Sequence, residues 1–313
     1  MSPTPPDSIG IVGAGAMGAL FGAHLAEAGR DPILVDVDPA VVDRIGAQGI
    51  TLHRGADVRH FPARATTDPA GEAPVDVLLV FVKCYATEAA LALAAPLIGD
   101  DTLVLSLQNG MGNADRVATV VPRERVFAGV TYHSATLLGP GDVDHTAVGT
   151  TYLGPITPAA FDGAEQIRAT LSGAGLDAEV MEEILQLIWR KLILNAAANP
   201  IAALTGLRAG ALAEVPEVFA VIEDLAREVV AVGRASGQDM EVEDSIAYVR
   251  DSLIKAGPAT SSMRQDVAAG RRTEIDVMNG AVLRAADERG IEVPLNRVIH
   301  ALVKGYEAGL APR

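Results

Sequence analysis

Three polar side chains stand four residues apart in a largely apolar stretch. They are Lys191, Asn195 and Asn199, within residues 189–200 (WRKLILNAAANP). Ala and Leu dominate the segment, and both favour a helix. On a helix, positions four apart lie on one face. Such a row would set an ammonium, able to give up a proton, beside two amides able to orient a small polar ligand. The plainer reading is a solvated stripe on a surface helix. Burying the row without partners would be unfavourable. Pro200 adds a second feature. If the helix runs through it, the carbonyl of Ala196 loses its usual donor and a kink is expected.

A second group of residues lies near the N-terminus. The apolar run Ile9 to Val12 leads into Gly13-Ala14-Gly15-Ala16-Met17-Gly18. A helix is predicted over 16–28, stopped by Gly29, and then an apolar run over 32–36 ends in Asp36. This is the strand, glycine turn, helix, strand unit of a dinucleotide fold. Gly13 permits the tight turn, Gly15 lets the backbone approach a pyrophosphate, and Gly18 lets the helix pack close. The helix N-terminus would then offer its free N–H groups and dipole to the phosphates. Asp36 stands where a carboxylate accepts bonds from the adenosine ribose hydroxyls and repels a 2′-phosphate, which favours NAD(H) over NADP(H). The plainer reading of Asp36 is a cap on the helix that follows near Pro39. Arg44 and Arg54 are basic residues that could meet a phosphate instead.

The elements that would position these groups follow the same logic. Residues 75–82 (VDVLLVFV) read as a buried parallel strand, with Lys83 at its carboxyl end. Residues 102–107 read as the next strand, and the loop Gln108-Asn109-Gly110-Met111-Gly112 places Asn109 at the same edge. Ligands bind beyond the carboxyl ends of such strands, so Lys83 and Asn109 together point to a cofactor cleft. Residues 51–61 read as a hairpin turning at Gly55, with His53 and His60 on its surface. Residues 126–154 read as a second β region, with a turn at Gly139 to Gly141, and His133 and His145 are taken as structural. A short strand over 178–181 closes this part. From residue 182 onward the pattern is helical, including one long helix over 262–290. A break near residue 180 therefore separates an α/β half (1–180) from an all-α half (181–313). On the long helix, Ser262 and Glu274 could border one cleft without sharing a stripe. The plainer readings are capping for Ser262 and, for Glu274, an ion pair with Arg271 or a neighbouring basic residue.

Composition narrows the function classes. The chain has 313 residues, 49% of them apolar, with a mean hydropathy of +0.26, so material for a core is ample. A formal charge of −15 argues against a nucleic-acid or anionic membrane partner. Cys84 is the only cysteine. That excludes an intrachain disulfide and a multi-cysteine zinc site, and no metal ligand set is expected. The Pro-rich N-terminus has no basic or long apolar region, so no signal peptide is expected, and no run is long enough for a membrane span. A cytoplasmic setting follows as the expectation.

These motifs resemble the ketopantoate reductase (2-dehydropantoate 2-reductase) family over nearly the whole chain. The resemblance rests on the glycine loop 13–18, on Val82-Lys83, on residues 108–112, on Trp189-Arg190-Lys191-Leu192 with Asn195 and Asn199-Pro200, and on Ser261-Ser262-Met263 with residues 271–276. It implies a Rossmann-type dinucleotide-binding domain, a helical substrate-binding domain suited to forming a homodimer, and a cleft between them. It implies reduction of a 2-oxo acid, ketopantoate by default, with Lys191 as general acid. Lys83 and Asn109 would approach the cofactor and the reacting carbonyl. Asn195, Asn199 and Ser262 would bind the small-molecule substrate, and Glu274 would secure the bound complex. Two positions depart from the family pattern. Asp36-Val37 stands where a basic residue usually greets NADPH, the usual family cofactor. Ala209 stands before Gly210 where an Asn is frequent, which opens the way to a different 2-oxo acid. A non-catalytic dinucleotide sensor would need the glycine loop but not the polar row.

Overall fold

The computed structural model describes residues 8–310. The Pro-rich lead read above for signal-peptide character lies, through residue 7, outside the described residues. Two compact units emerge, one of residues 8–108 with Asn113–Ile184, the other of Asn109–Gly112 with residues 185–310. The four-residue loop therefore groups with the second unit, although its neighbours on both sides belong to the first.

The first unit carries strands β1 (Ile9–Val12), β2 (Ile33–Val35), β3 (Ile50–Arg54), β4 (Asp57–Phe61), β5 (Arg64–Thr66), β6 (Val77–Val80), β7 (Leu103–Ser106), β8 (Val126–Thr131), β9 (Ser134–Gly139), β10 (Asp142–Ala147), β11 (Thr151–Pro155) and β12 (Ala178–Val180). The main sheet has the order β12-β11-β8-β7-β6-β1-β2-β5, and β4-β3-β10-β9 form a smaller one. The inner strands β8, β7, β6, β1 and β2 run parallel. Burial on both faces explains why β1 and β6 read as continuous apolar runs. The order reverses between β1 and β6, the place where doubly wound sheets bind their ligands.

Helices α1 (Ala16–Glu27), α2 (Pro39–Gln48), α3 (Thr87–Leu93), α4 (Asn113–Val117) and α5 (Phe161–Gly173) complete this unit. Helix α1 packs against β1 and also against β3, β9 and β10 of the small sheet. A helix covered on more than one side must be apolar all round, and residues 18–25 of α1 are all buried. The second β region expected over 126–154 is divided between the two sheets. Strands β8 and β11 join the main sheet, while the β9–β10 hairpin joins β3 and β4. Buried Val143 pairs with buried Leu52 across β10 and β3, a register only tertiary packing could select.

Histidines gather where α1 meets the small sheet. The His133 Nδ1 and His145 Nε2 atoms lie 3.0 Å apart, and the His24 ring centroid is 5.4 Å from that of His145. Burial, with help from neighbouring positive groups, pushes His24 and His133 down to about 4. His53 and His60 are on the exposed hairpin, with His53 bonded to Asp142 and His60 to Thr51. Among the described residues, no group of three or more His, Cys, Asp or Glu is placed to hold a metal ion.

The second unit contains α6 (Ile184–Thr205), α7 (Ala209–Glu214), α8 (Pro216–Ala235), α9 (Val242–Ala256), α10 (Ser262–Ala268), α11 (Asn279–Asp287) and α12 (Pro294–Ala308). Trp189, Leu192, Ile193 and Ala197 of α6 share a core with Phe219 and Val229 of α8, Val249 of α9 and Val282 of α11. The single long helix predicted over 262–290 is not formed. Gly270 turns at φ +63 just after α10, and a 3-10 turn, Ile275–Val277, precedes α11. Segment 271–276 is instead tied to α12. Thr273 donates its N–H and hydroxyl to Glu307, and Asp276 binds His300 and Lys304. Among the described residues, no helix is long and apolar enough to cross a membrane.

Candidate active site

The glycine loop has the form its sequence predicts. Gly13 adopts φ +95, and a Cβ there would lie 2.9 Å from Val82 Cγ1. A Cβ on Gly18 would lie 1.8 Å from the Gly13 carbonyl oxygen, so only glycine allows α1 to approach the turn. Around Gly15 the opposite holds. A Cβ would meet nothing within 4 Å, and Gly15 is the N-cap of α1 with no side-chain hydrogen bond capping the helix. Unshielded N–H groups beside open space suit a pyrophosphate. Residues 13–18 therefore fit a dinucleotide on their own geometry.

Asp36 follows β2 and is half-buried. Its Oδ2 accepts the Ala14 N–H at 2.7 Å, and its Oδ1 accepts the Asp38 N–H at 3.0 Å. The carboxylate is thus held against the glycine loop, and each oxygen keeps a further lone pair. The cap on α2 is Asp38, which accepts from Ala40 N–H, with Pro39 as the first helical residue. Val37 beside Asp36 is 76% exposed. Arg44 donates to the Gly49 carbonyl, and Arg54 pairs with Glu27.

Lys83 is half-buried and lies three residues beyond the end of β6, where it precedes the 3-10 turn Cys84–Ala86. Buried Gln108 braces that turn. Its amide donates to the Val82 carbonyl at 2.7 Å and to the Thr87 hydroxyl at 2.8 Å, while its carbonyl accepts from Ser106. From the sequence alone, Gln108 stands out only as part of a loop. The clue would have been a long amide set directly after a buried strand, which must find internal partners. Asn109 lies three residues beyond the end of β7, and Asn109–Gly112 group with the helical unit. The Met111 N–H donates to the Val277 carbonyl at 2.9 Å. Gly110 adopts φ +87, where a Cβ would sit 2.4 Å from the Val277 oxygen.

The polar row exists on α6. Lys191, Asn195 and Asn199 share one face of a helix that continues through Pro200. Asn195 is only 9% exposed, and Lys191 and Asn199 are half-buried, so the row is not a solvated stripe. Burial drives the Lys191 ammonium down to about 8, against the opposing pull of the Glu274 carboxylate. Glu274, 6% exposed, heads the 3-10 turn Ile275–Val277. The same turn receives the Asn109 loop and ends at Met278, whose sulfur lies 4.0 Å from Asn199 Nδ2. Residues 274–278 thus bring Lys191, Asn199, Glu274 and the Asn109 loop together.

Glu274 is not on a helix with Ser262, as the sequence reading assumed. Arg271, one of the basic residues considered as an ion-pair partner for Glu274, binds buried Asp266. Ser262 opens α10, and Ser261 is the cap, accepting from Arg264 N–H at 3.4 Å. Ser262 is therefore released from capping. Ala209 begins α7, and its N–H donates to the Ala259 carbonyl at 3.1 Å, on the segment leading to Ser262.

Comparison with known proteins finds relatives over nearly the whole chain. The family model "Ketopantoate reductase PanE/ApbA" matches residues 9–158, and its C-terminal counterpart matches residues 183–307. The 2-dehydropantoate 2-reductase of Streptococcus pyogenes serotype M18 is 33% identical over 304 residues, covering 96% of this chain and 98% of the other. That of Archaeoglobus fulgidus is 33% identical over 301 residues, with coverage of 96% and 98%. Among solved structures, a ternary complex of D-mandelate dehydrogenase with NADH and anilino(oxo)acetate superposes with a TM-score of 0.92 at 28% identity, covering 97% and 99%. A PanE/ApbA family ketopantoate reductase from Ralstonia eutropha gives 0.85 at 35% identity, covering 96% and 98%.

Proposed function

The chain belongs to the ketopantoate reductase family of oxidoreductases, which act on a CH–OH or keto group, and on that premise we propose that it reduces a 2-oxo acid to the (2R)-hydroxy acid, with 2-dehydropantoate as substrate and NADH as reductant. The observation that carries the reading is the buried ammonium of Lys191 in line with the Asn195 amide. A bound dihydronicotinamide supplies the hydride. Lys191 holds a proton for the carbonyl oxygen, which gains negative charge as its carbon takes the hydride. The ammonium stabilises that charge before giving the proton up. Asn195, Asn199 and Ser262 hold the carboxylate and any hydroxyl of the substrate. Lys83 and Asn109 approach cofactor and carbonyl, and Glu274 secures the bound state and keeps Lys191 protonated. The setting is cytoplasmic, in keeping with a lone buried thiol at Cys84.

The choice of NADH rests on Asp36. Its carboxylate is pinned to the Ala14 N–H, and the two basic residues considered for a 2′-phosphate are engaged at Gly49 and Glu27. The D-mandelate dehydrogenase match, solved with NADH, supports it. A second reading for the substrate has its own observation. Ala209 offers only a methyl group where an Asn is frequent in the family, so a 2-oxo acid with an apolar or aryl side chain is the alternative.

A panel of 2-oxo acids, ketopantoate and an aryl 2-oxo acid among them, assayed with each reduced dinucleotide, tests both readings. Ketopantoate turnover with NADH is expected, and turnover of none of them would leave only a dinucleotide sensor. Asp36→Ala should erode the NADH preference about ten-fold, the worth of one or two hydrogen bonds. A wild-type preference for NADPH would overturn the role given to Asp36.

A further inference from the structure

Pro200 lies inside α6, so the Ala196 carbonyl lacks the N–H that position 200 would ordinarily donate. Ala196 is fully buried. A buried carbonyl without a donor is unfavourable, and the chain supplies one from elsewhere. Asn279, at the start of α11, donates its Nδ2 to the Ala196 oxygen at 2.9 Å. The same amide nitrogen donates to Asn296 Oδ1 at 2.9 Å. Asn296 in turn donates to Glu228 Oε2 at 2.8 Å and to the Leu225 carbonyl at 3.3 Å. Glu228 on α8 accepts the backbone N–H groups of Leu295 and Asn296, both at 2.9 Å. Both asparagines are 0% exposed.

We propose that Asn279 is a positioning residue for substrate binding, acting through the Ala196 carbonyl and held in register by Asn296 and Glu228. Ala196 lies between Asn195 and Asn199 on α6, so the bond fixes the backbone from which both amides project. Met278, the residue before Asn279, lies against the Asn199 side chain. One short segment therefore sets both the backbone and a side chain of the row. The Asn296 carbonyl takes the second N–H of the Asn279 amide and so fixes its orientation. Glu228, by accepting from the first turn of α12, anchors Asn296 to two helices at once. The polar relay places an internal donor where proline removed one.

This inference rests on the proposed reading of Lys191, Asn195 and Asn199, and a double-mutant cycle tests it separately from that reading. Asn279→Ala should lower kcat/KM for the 2-oxo acid at least ten-fold, with the dissociation constant for NADH within two-fold of wild type. Pro200→Ala restores a backbone N–H that can serve Ala196. In that background Asn279→Ala should lower kcat/KM less than three-fold. Equal losses in the two backgrounds, unchanged kcat/KM in Asn279→Ala, or a parallel loss of NADH affinity would overturn the proposal. Should Asn279→Ala fail to fold, Asn279→Leu, which fills a similar volume and has no donor, replaces it in both backgrounds under the same criteria. Asn195→Ala is measured alongside. If it too leaves 2-oxo acid turnover intact, the site reading has failed; if it alone is impaired, only the relay has.

Discussion

The glycine loop of the first unit and the polar row of the second are built from different materials. At the loop, the useful groups are backbone N–H groups, and the side chains matter by being absent. Gly18 is in contact with the Gly13 carbonyl, while Gly15 faces open space. On α6 the useful groups are side chains, and the backbone beneath them is incomplete at Pro200 and repaired from α11. A backbone site should therefore fail when bulk is added, and a side-chain site when a functional group is removed. Their electrostatics differ as well. The first unit buries neutral histidines, whereas the second buries a charged lysine beside Glu274.

The sharpest test of that difference is Lys191→Ala. Losing a positioned proton donor should lower kcat by about 10²–10⁴-fold, with NADH affinity retained. The pH profile gives an independent check. Reduction requires the ammonium, and burial lowers Lys191 to about 8, so the protonated form is present below that value and lost above it. Wild-type kcat/KM should fall on the alkaline side from about pH 8, and that limb should be absent in the variant. Near-normal turnover by a folded Lys191→Ala protein would transfer the role to Lys83.

The converse test is Gly18→Ala, which removes nothing and adds one methyl 1.8 Å from a backbone oxygen. Overpacking of about 1–3 kcal/mol should weaken NADH binding roughly five- to hundred-fold in a direct titration. An unchanged affinity would show that the loop does not need close packing to bind. Asn195→Ala should lower kcat/KM for the 2-oxo acid roughly ten- to a hundred-fold, the effect of removing a hydrogen bond to a charged group. Equal losses in NADH and 2-oxo acid binding would mean that Asn195 supports the fold instead.

Acid should separate the two units by stability. His24 and His133 are held near 4 in the folded protein, below their ordinary value of 6.5. Between those values the unfolded chain binds more protons than the native one. Their contribution is intact above about pH 6.5 and is lost as pH falls toward 4, on the order of 2–4 kcal/mol for the pair at pH 5. In the second unit Asp276 has the opposite chemistry. Burial alone would raise it, but Lys304, His300 and Arg272 outweigh burial and hold it near 2. Its contribution is present above its ordinary value of 3.8 and is lost only as pH falls through about 2. Hydrogen exchange at pH 5 against pH 7 should show protection falling first around α1 and the small sheet. Uniform loss across both units would contradict this ordering.

Sequence alone determined the features that depend on local spacing. The glycine loop was legible because glycines spaced between a strand and a helix form a local pattern, and Gly18 answers a steric demand set nearby by Gly13. The Lys191, Asn195 and Asn199 face was legible because helical periodicity is local, and Pro200 announced a carbonyl that would need a donor. Tertiary structure decided which distant segments answer those demands. The hairpin over 134–147 left the main sheet because Val143 finds buried Leu52. The expected long helix broke at Gly270 because segment 271–276 binds α12 through Thr273 and Asp276. Asn109 joined the helical unit because Met111 bonds Val277. The donor for Ala196 came from Asn279, which lies 83 residues away along the chain. Local periodicity states which groups lack a partner, but hydrogen bonds and buried side chains are satisfied by whichever residue arrives in space, and spacing along the chain carries no record of that meeting.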